Sequence, residues 1–250
     1  MTLSLGEHQQ AVDETFYQKY LQEHPEVVAP PRFFSIIKEI GPDTSASILD
    51  VGAGTGDLLL LIKQRGYTNI RGFDYSATAR HHAASRAIHL EEANLEDPTL
   101  ANRIKDQFDV VICGEVLEHI FDPQRVLPVL KDLLKDQGKL IITVPNAGWW
   151  LNGVLLTFFP QLVRLSPAFG VWTHVNQFTA YSLRKLLESS GLRLVKITGT
   201  GYWMAPAVNR PLWRTILVTT LKFPIYFSDF LVEIWPSIFS SQLVVVTEKG

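Results

Sequence analysis

The sequence predicts an α/β fold: seven strands in a mostly parallel sheet, with helices on both faces. Three observations predict it. From residue 48 to residue 145, short aliphatic or β-branched runs alternate with helical patterns, the rhythm of a parallel sheet. The first run leads into a glycine-rich turn, Gly52-Ala-Gly-Thr-Gly56, that opens a helix. The 250 residues are 46% hydrophobic and 19% charged, which suits one large domain and excludes disorder and fibrous architectures.

The elements follow in order. Residues 8–22 and 31–40 read as two short helices, parted by Pro25 and Pro30-Pro31, that cap the later site. Ile48–Val51 is a strand and Asp57–Gln64 the helix after it. Ile70–Asp74 is the second strand, and Ala77–Arg86 a helix with Ser76 as its N-cap. Ile88–Ala93 and Phe108–Cys113 are the third and fourth strands. A helix over Pro123–Lys135 contains Pro128, which predicts a kink. Lys139–Pro145 is the fifth strand. Thr179 caps a helix over Ala180–Ser190, closed by Gly191. Leu192–Thr198 and Leu243–Thr247 are the last two strands, with too many residues between them for a hairpin turn. The whole reads as a single domain: a helical cap over 1–45, a core over 46–146, an apolar lid over 147–179, and a C-terminal part over 180–250 with an insert over 199–242.

Composition narrows the function. A net charge of −2 gives no electrostatic footprint for a polyanion, so nucleic acid is not an expected partner. A single cysteine, Cys113, excludes an intrachain disulfide and fits a reducing compartment. No basic region followed by an apolar run opens the chain, so no secretory signal is expected, and the reading is cytoplasmic. All six tryptophans lie after residue 148, and between Leu140 and Leu183 the only Asp, Glu, Lys or Arg is Arg164. Prolines, asparagines and charges interrupt the apolar stretches, so no spanning helix is expected. The inserts read as an apolar acceptor pocket, a membrane-docking surface through Trp149-Trp150 and Phe158-Phe159, a subunit interface, or the core of an enlarged lid. Arg164, Arg210, Arg214 and Lys222 would suit anionic headgroups. Oligomeric state stays open.

The strongest motif is Ile48-Leu-Asp50-Val-Gly52-Ala-Gly54-Thr-Gly56-Asp57. It is not the dinucleotide fingerprint, whose third glycine would fall at Asp57, and no Lys-Ser/Thr makes it a P-loop. Asp50 and Asp57 beside the turn would repel a pyrophosphate and suit a ligand with a cationic end. Asp74, closing the second strand, is placed to accept both hydroxyls of a ribose. A cationic, ribose-bearing ligand without phosphates describes S-adenosylmethionine.

On these residues the chain resembles the class I S-adenosylmethionine-dependent methyltransferases. It is most similar to the family that includes the ubiquinone-biosynthesis O-methyltransferases. That likeness is carried by Phe108-Asp-Val-Val-Ile-Cys-Gly-Glu115-Val-Leu-Glu118-His119-Ile-Phe-Asp-Pro123, by Leu134 through Gly138 to Pro145-Asn146, and by His174-x-x-x-Phe178-Thr179. The resemblance implies a Rossmann-like sheet with an antiparallel last strand, and a cofactor set. Asp50, Gly52, Ala53, Gly54 and Gly56 would line the methionine end and the ribose. Asp74 and Tyr75 would meet the ribose, and Asn94 and Leu95 the adenine, with Asn94 where an Asp is more common. Cys113 and Gly114 would lie against the methionine moiety beside Glu115. The bland reading of Cys113 is a small core residue.

Glu115-x-x-Glu118-His119 follows the fourth strand, and at i, i+3 and i+4 the three would share one face of a helical turn. With His174 they make a candidate set for Mg²⁺, Mn²⁺ or Zn²⁺. The pattern resembles small-RNA 2′-O-methyltransferases and the ubiquinone O-methyltransferases, whose catechol substrate suits chelation. Without a metal, Glu115, His119 and His174 would be the catalytic candidates, His119 as general base. The expectation is O-methylation of a small or lipid-like acceptor. The alternatives are a sugar or glycolipid headgroup, or a non-catalytic cofactor-binding scaffold.

Overall fold

The computed structural model describes residues 15, 17–22, 29–97, 99–158, 160–161, 168–169, 173–200 and 231–250. Residues 17–22 are helical. The elements are α1 (Pro31–Ile40), β1 (Ile48–Val51), α2 (Asp57–Gln64), β2 (Ile70–Asp74), α3 (Ala77–Ser85) and β3 (Glu91–Glu92). Then come α4 (Leu100–Arg103), β4 (Phe108–Gly114), a 3₁₀ turn over Leu117–His119, α5 (Pro123–Asp132) and β5 (Leu134–Pro145). Last are α6 (Trp150–Phe158), α7 (Ala180–Ser189), β6 (Leu192–Thr200), α8 (Pro236–Phe239) and β7 (Gln242–Lys249).

The sheet runs β3-β2-β1-β4-β5-β7-β6. Strands β1 to β5 are parallel, and β7 runs antiparallel to both β5 and β6, as expected. Strand β1 is buried throughout and most of β4 with it, which is why both read as unbroken apolar runs. One face packs Leu127, Leu130, Leu183 and Leu187 from α5 and α7 against the sheet. The other packs Ile36, Ile40, Leu59 and Ile62 from α1 and α2. Both faces are therefore covered by helices.

Local chemistry sets the boundaries. Ser76 Oγ accepts the Ala79 N–H and caps α3. Thr179 and Ser182 form a reciprocal capping box on α7. Strands β6 and β7 run past their expected ends, and the larger departures lie earlier in the chain. Strand β3 shrinks to Glu91–Glu92, because it pairs with β2 alone at the open edge. Helix α5 keeps Pro128 inside it but stops at Asp132. Strand β5 then starts at Leu134, which pairs with Phe108 before the register shifts and resumes at Val110 and Lys139. Gly138 makes that shift possible: a Cβ there would lie 2.7 Å from the Phe108 carbonyl oxygen.

Beyond β5 the chain is stitched by amides. Asn146 is fully buried, and its Nδ2 donates to the Ser237 and Ser240 carbonyls at 3.0 and 2.8 Å. Asn152 Nδ2 donates to Asn146 O at 3.0 Å, seating α6 on the end of β5. Helix α6 leaves Trp150, Leu156 and Phe158 exposed, Phe158 at 70%. Trp172, Trp203, Trp213, Phe159, Arg164, Arg210, Arg214 and Lys222 lie outside the described residues, as does most of the second insert. No helix among the described residues is long and apolar enough to cross a membrane.

Candidate active site

A cavity of about 370 Å³ opens over the carboxyl ends of β1, β2 and β4, where the strand order reverses. Such a reversal is where open α/β sheets receive ligands. The glycine turn forms its floor. Gly52, Gly54 and Gly56 all have positive φ (71°, 55° and 76°), a region costly for other residues. At Gly52 space also decides: a Cβ would lie 2.4 Å from Val116 Cγ2. The Gly52 and Ala53 N–H groups donate to Phe73 O at 2.9 Å, which locks the turn onto β2.

Asp74 is buried and held from both sides. Its Oδ2 accepts the Gly54 N–H at 2.7 Å and its Oδ1 the Ser76 N–H at 2.9 Å. Asp50 is buried beside it. Burial first, and then the charge of Asp74, pushes the Asp50 carboxyl up to about 8, so it holds a proton at neutral pH. A cationic ligand would favour its ionised form. Arg86, at the end of α3, donates to Asp57 Oδ1 and to the Thr55 carbonyl, while Thr55 Oγ1 donates to Asp57 Oδ2 at 2.8 Å. That triangle braces the outer half of the turn.

The residues expected to bind cofactor sort cleanly. Asp50, Gly52, Ala53, Gly54, Asp74, Tyr75, Asn94, Leu95 and Gly114 line the cavity. Gly56 and Cys113 do not. Gly56 serves packing instead, since a Cβ there would meet Ile88 and Ala83 at 3.0 and 3.1 Å. Cys113 lies in the core with its side chain fully buried, where burial raises its thiol pKa, and it packs there without lining the cavity. Tyr17, Tyr20 and Arg32 line the cavity as well, from the N-terminal cap. The sequence led us to expect a cap here but named none of the three, because helical periodicity does not say which side chains of a capping segment face the cavity. Arg32 is the only Lys or Arg on the wall among the described residues.

Glu115, Glu118, His119 and His174 line the far end of the cavity. The expected shared helical face does not form. Glu115 has φ +56° and precedes a 3₁₀ turn that spans only Leu117–His119. Its Oε2 accepts from Gln242 Nε2 at 2.9 Å instead. The other three converge: one ligand atom each of Glu118, His119 and His174 lie within 4.8 Å of one another. The structure thus gives a cluster of three and leaves Glu115 out. The His119 and His174 rings meet edge-on, centroids 4.9 Å apart. His119 Nδ1 lies 3.2 Å from the Thr173 carbonyl and His174 Nδ1 3.4 Å from that of Ala168. With a carbonyl as partner each Nδ1 must donate, so the proton sits on Nδ1 and Nε2 is the acceptor nitrogen of each ring. Burial lowers both imidazoles; His174, also facing His119, falls to about 4. Both rings are therefore neutral near pH 7. Glu118 is 1% exposed, and neither carboxyl oxygen has a hydrogen-bond partner among the described residues. Burial, and then the neighbouring Glu115, drives its pKa well up. Burial also raises Glu115, opposed by the charge of Arg32.

Residues 17–197 match the family described as a methyltransferase domain. The chain belongs to that family. It is an S-adenosylmethionine-dependent methyltransferase. Among curated relatives, the ubiquinone biosynthesis O-methyltransferase of Aeromonas salmonicida is 28% identical over 187 residues, 73% of this chain and 77% of the relative. The protein of the same name from Acinetobacter baylyi is 25% identical over 226 residues, covering 84% of this chain and 92% of the relative. Solved structures share the fold. The magnesium protoporphyrin IX methyltransferase of Synechocystis with bound S-adenosylmethionine aligns at TM-score 0.59 and 12% identity, over 100% of this chain and 99% of its own. A methyltransferase from Archaeoglobus fulgidus aligns at TM-score 0.58 and 17% identity, over 87% and 92%.

Proposed function

We propose that this methyltransferase acts on the hydroxyl oxygen of a small or lipid-like acceptor, admitted at the Glu118–His119–His174 end of the cavity. The supporting observation is Glu118: a buried carboxyl with neither oxygen partnered among the described residues, beside two neutral imidazoles whose Nδ1 atoms face backbone carbonyls. The names of its ubiquinone-biosynthesis relatives point the same way, to a ring hydroxyl on a quinone precursor. Asp74 holds the ribose. Arg32 suits the methionine carboxylate, as the one guanidinium on the wall. The acceptor oxygen attacks the methyl carbon in line with the sulfonium. The methyl–sulfur bond breaks, and sulfur leaves as a neutral thioether. Without a metal ion, His119 Nε2 takes the hydroxyl proton. The turn and the cap supply proximity and orientation.

The same three residues fit a divalent cation. Glu118 offers a carboxylate oxygen, His119 and His174 each offer Nε2, and both Nδ1 atoms are steadied by backbone carbonyls, as ligating histidines commonly are. A bound ion would lower the pKa of the acceptor hydroxyl. Incubating the protein with S-adenosylmethionine and catechol tests the reading. O-methylated product is expected, with His119→Ala slower by about 10²-fold or more. EDTA is expected to slow turnover, and Mg²⁺, Mn²⁺ or Zn²⁺ to restore it. Methylation of a glycolipid headgroup in place of catechol, or an unimpaired His119→Ala, would overturn the assignment.

A membrane-surface location is favoured by Trp150, Leu156 and Phe158, exposed along the uncharged helix α6, and by exposed Ile234, Trp235 and Ile238 near its start. Trp and Phe on such a face partition to the headgroup boundary. The protein is expected to float with vesicles of anionic phospholipid, and a Trp150→Ala/Phe158→Ala variant to stay in the soluble fraction. Equal behaviour of the two proteins would refute this.

A further inference from the structure

We propose that Gln242 is a positioning residue of the acceptor site, acting through Glu115. The proposal rests on the reading that this end of the cavity receives the acceptor. Gln242 opens β7 and is 4% exposed. Its backbone is paired on both sides, to Pro145 of β5 and to Thr200 of β6. Its side chain is committed at both ends: Nε2 donates to Glu115 Oε2 at 2.9 Å, and Oε1 accepts from Thr200 Oγ1 at 3.3 Å. The amide therefore cannot turn without losing a partner on each side.

The backbone of Glu115 gives the independent observation. It is left-handed, at φ +56°, on a residue that is not glycine. That conformation is costly for a residue that carries a Cβ. It persists only where the surroundings hold it, and such residues collect at functional sites. Two contacts hold it here: the Glu115 N–H donates to Thr143 O at 2.9 Å, and the Gln242 amide takes the carboxyl. The result is a wall residue whose carboxyl is turned toward β7 and kept out of the Glu118–His119–His174 cluster. A neutral amide does this without adding charge to a cavity already lined by Asp50, Asp57, Asp74, Glu96, Glu115 and Glu118. An apolar residue at 242 would release the Glu115 carboxyl, and a buried carboxyl without its donor seeks another partner.

Two measurements test this. The first is a double-mutant cycle on catechol turnover with Gln242→Leu and Glu115→Gln. Gln242→Leu is expected to lower kcat about ten- to a hundredfold, the usual result of slight misplacement, with KM for S-adenosylmethionine within about twofold. The double variant is expected to be no slower than Glu115→Gln alone, because the two side chains act as one unit. Losses that multiply, or an unchanged kcat, would overturn the proposal. The second needs no acceptor. In protein labelled with carboxyl-¹³C glutamate, the Glu115 resonance, assigned with Glu115→Gln, is expected to move in Gln242→Leu while that of Glu118 stays. An unmoved Glu115 line would overturn the proposal. If the wild type methylates no catechol, the acceptor reading falls, and the resonance alone decides the role of Gln242.

Discussion

Replacing Asp74 with alanine is expected to weaken S-adenosylmethionine binding by at least about a hundredfold. Both oxygens of Asp74 are anchored by backbone N–H groups, from Gly54 across the turn and from Ser76 ahead. The carboxylate is thus fixed before any ligand arrives, on the cavity wall where the two ribose hydroxyls would meet it. Two hydrogen bonds to a charged group contribute about 1.5–3 kcal/mol each. Their joint loss converts to about two to four powers of ten in affinity. The substitution also frees the Gly54 N–H and loosens the turn. Asp74→Asn keeps the shape and one acceptor oxygen, so its loss is expected to be smaller. It should also lower the pKa of Asp50, since the charge of Asp74 is the second cause of that carboxyl's high value. Calorimetric titration with S-adenosylmethionine, compared with its demethylated product, measures all of this. An affinity within about threefold of wild type for Asp74→Ala would remove Asp74 from the ribose.

The cofactor half of this site was legible in the sequence because its chemistry is local. A turn that needs three positive φ values must write glycines at consecutive alternate positions, and Gly52, Gly54 and Gly56 do so. The alternation of strand and helix gave the sheet for the same reason: β1 and β4 are buried on both faces and so read as apolar runs. What was not legible depends on contacts between distant parts of the chain. Gln242 and Glu115 are 127 positions apart, and no local pattern marks the glutamine. The cap over 31–40 was expected, but nothing local says that Arg32 is the side chain it turns onto the cavity wall. The metal-like spacing Glu115-x-x-Glu118-His119 misled in one respect. Helical spacing puts the three on one face only if the chain is helical from Glu115 onward, and it turns left-handed there instead. The boundary between α5 and β5 was missed because Leu134 to Gly138 pairs irregularly with β4, which periodicity does not reveal.

Replacing Glu118 with methionine is expected to stabilise the protein and to abolish methyl transfer. Glu118 is a buried carboxyl whose oxygens have no hydrogen-bond partner among the described residues. A buried polar group without a partner costs about 1–3 kcal/mol, and an apolar side chain of similar length removes that cost. For a chain of this size the gain corresponds to about 2–4 °C in Tm per kcal/mol. The pH dependence carries a sign of its own. The folded pKa lies well above the ordinary 4.5, because burial and Glu115 oppose ionisation. The stability tied to this proton is therefore fully present below about pH 4.5 and is lost as pH rises through the raised value. The methionine variant has no such proton to lose, so its advantage in Tm is expected to widen from acid to neutral pH. The local frame should survive the change. It is the main-chain carbonyl of Glu118, not the carboxyl, that accepts the Val175 and Asn176 N–H groups at 2.8 and 3.0 Å and so holds His174 in place. Lost activity in a more stable protein would then mark the carboxyl as a group kept for chemistry at the expense of stability. A variant that is less stable than wild type at neutral pH, or that still transfers methyl groups at the wild-type rate, would show that Glu118 belongs to the core and that the acceptor is activated without it.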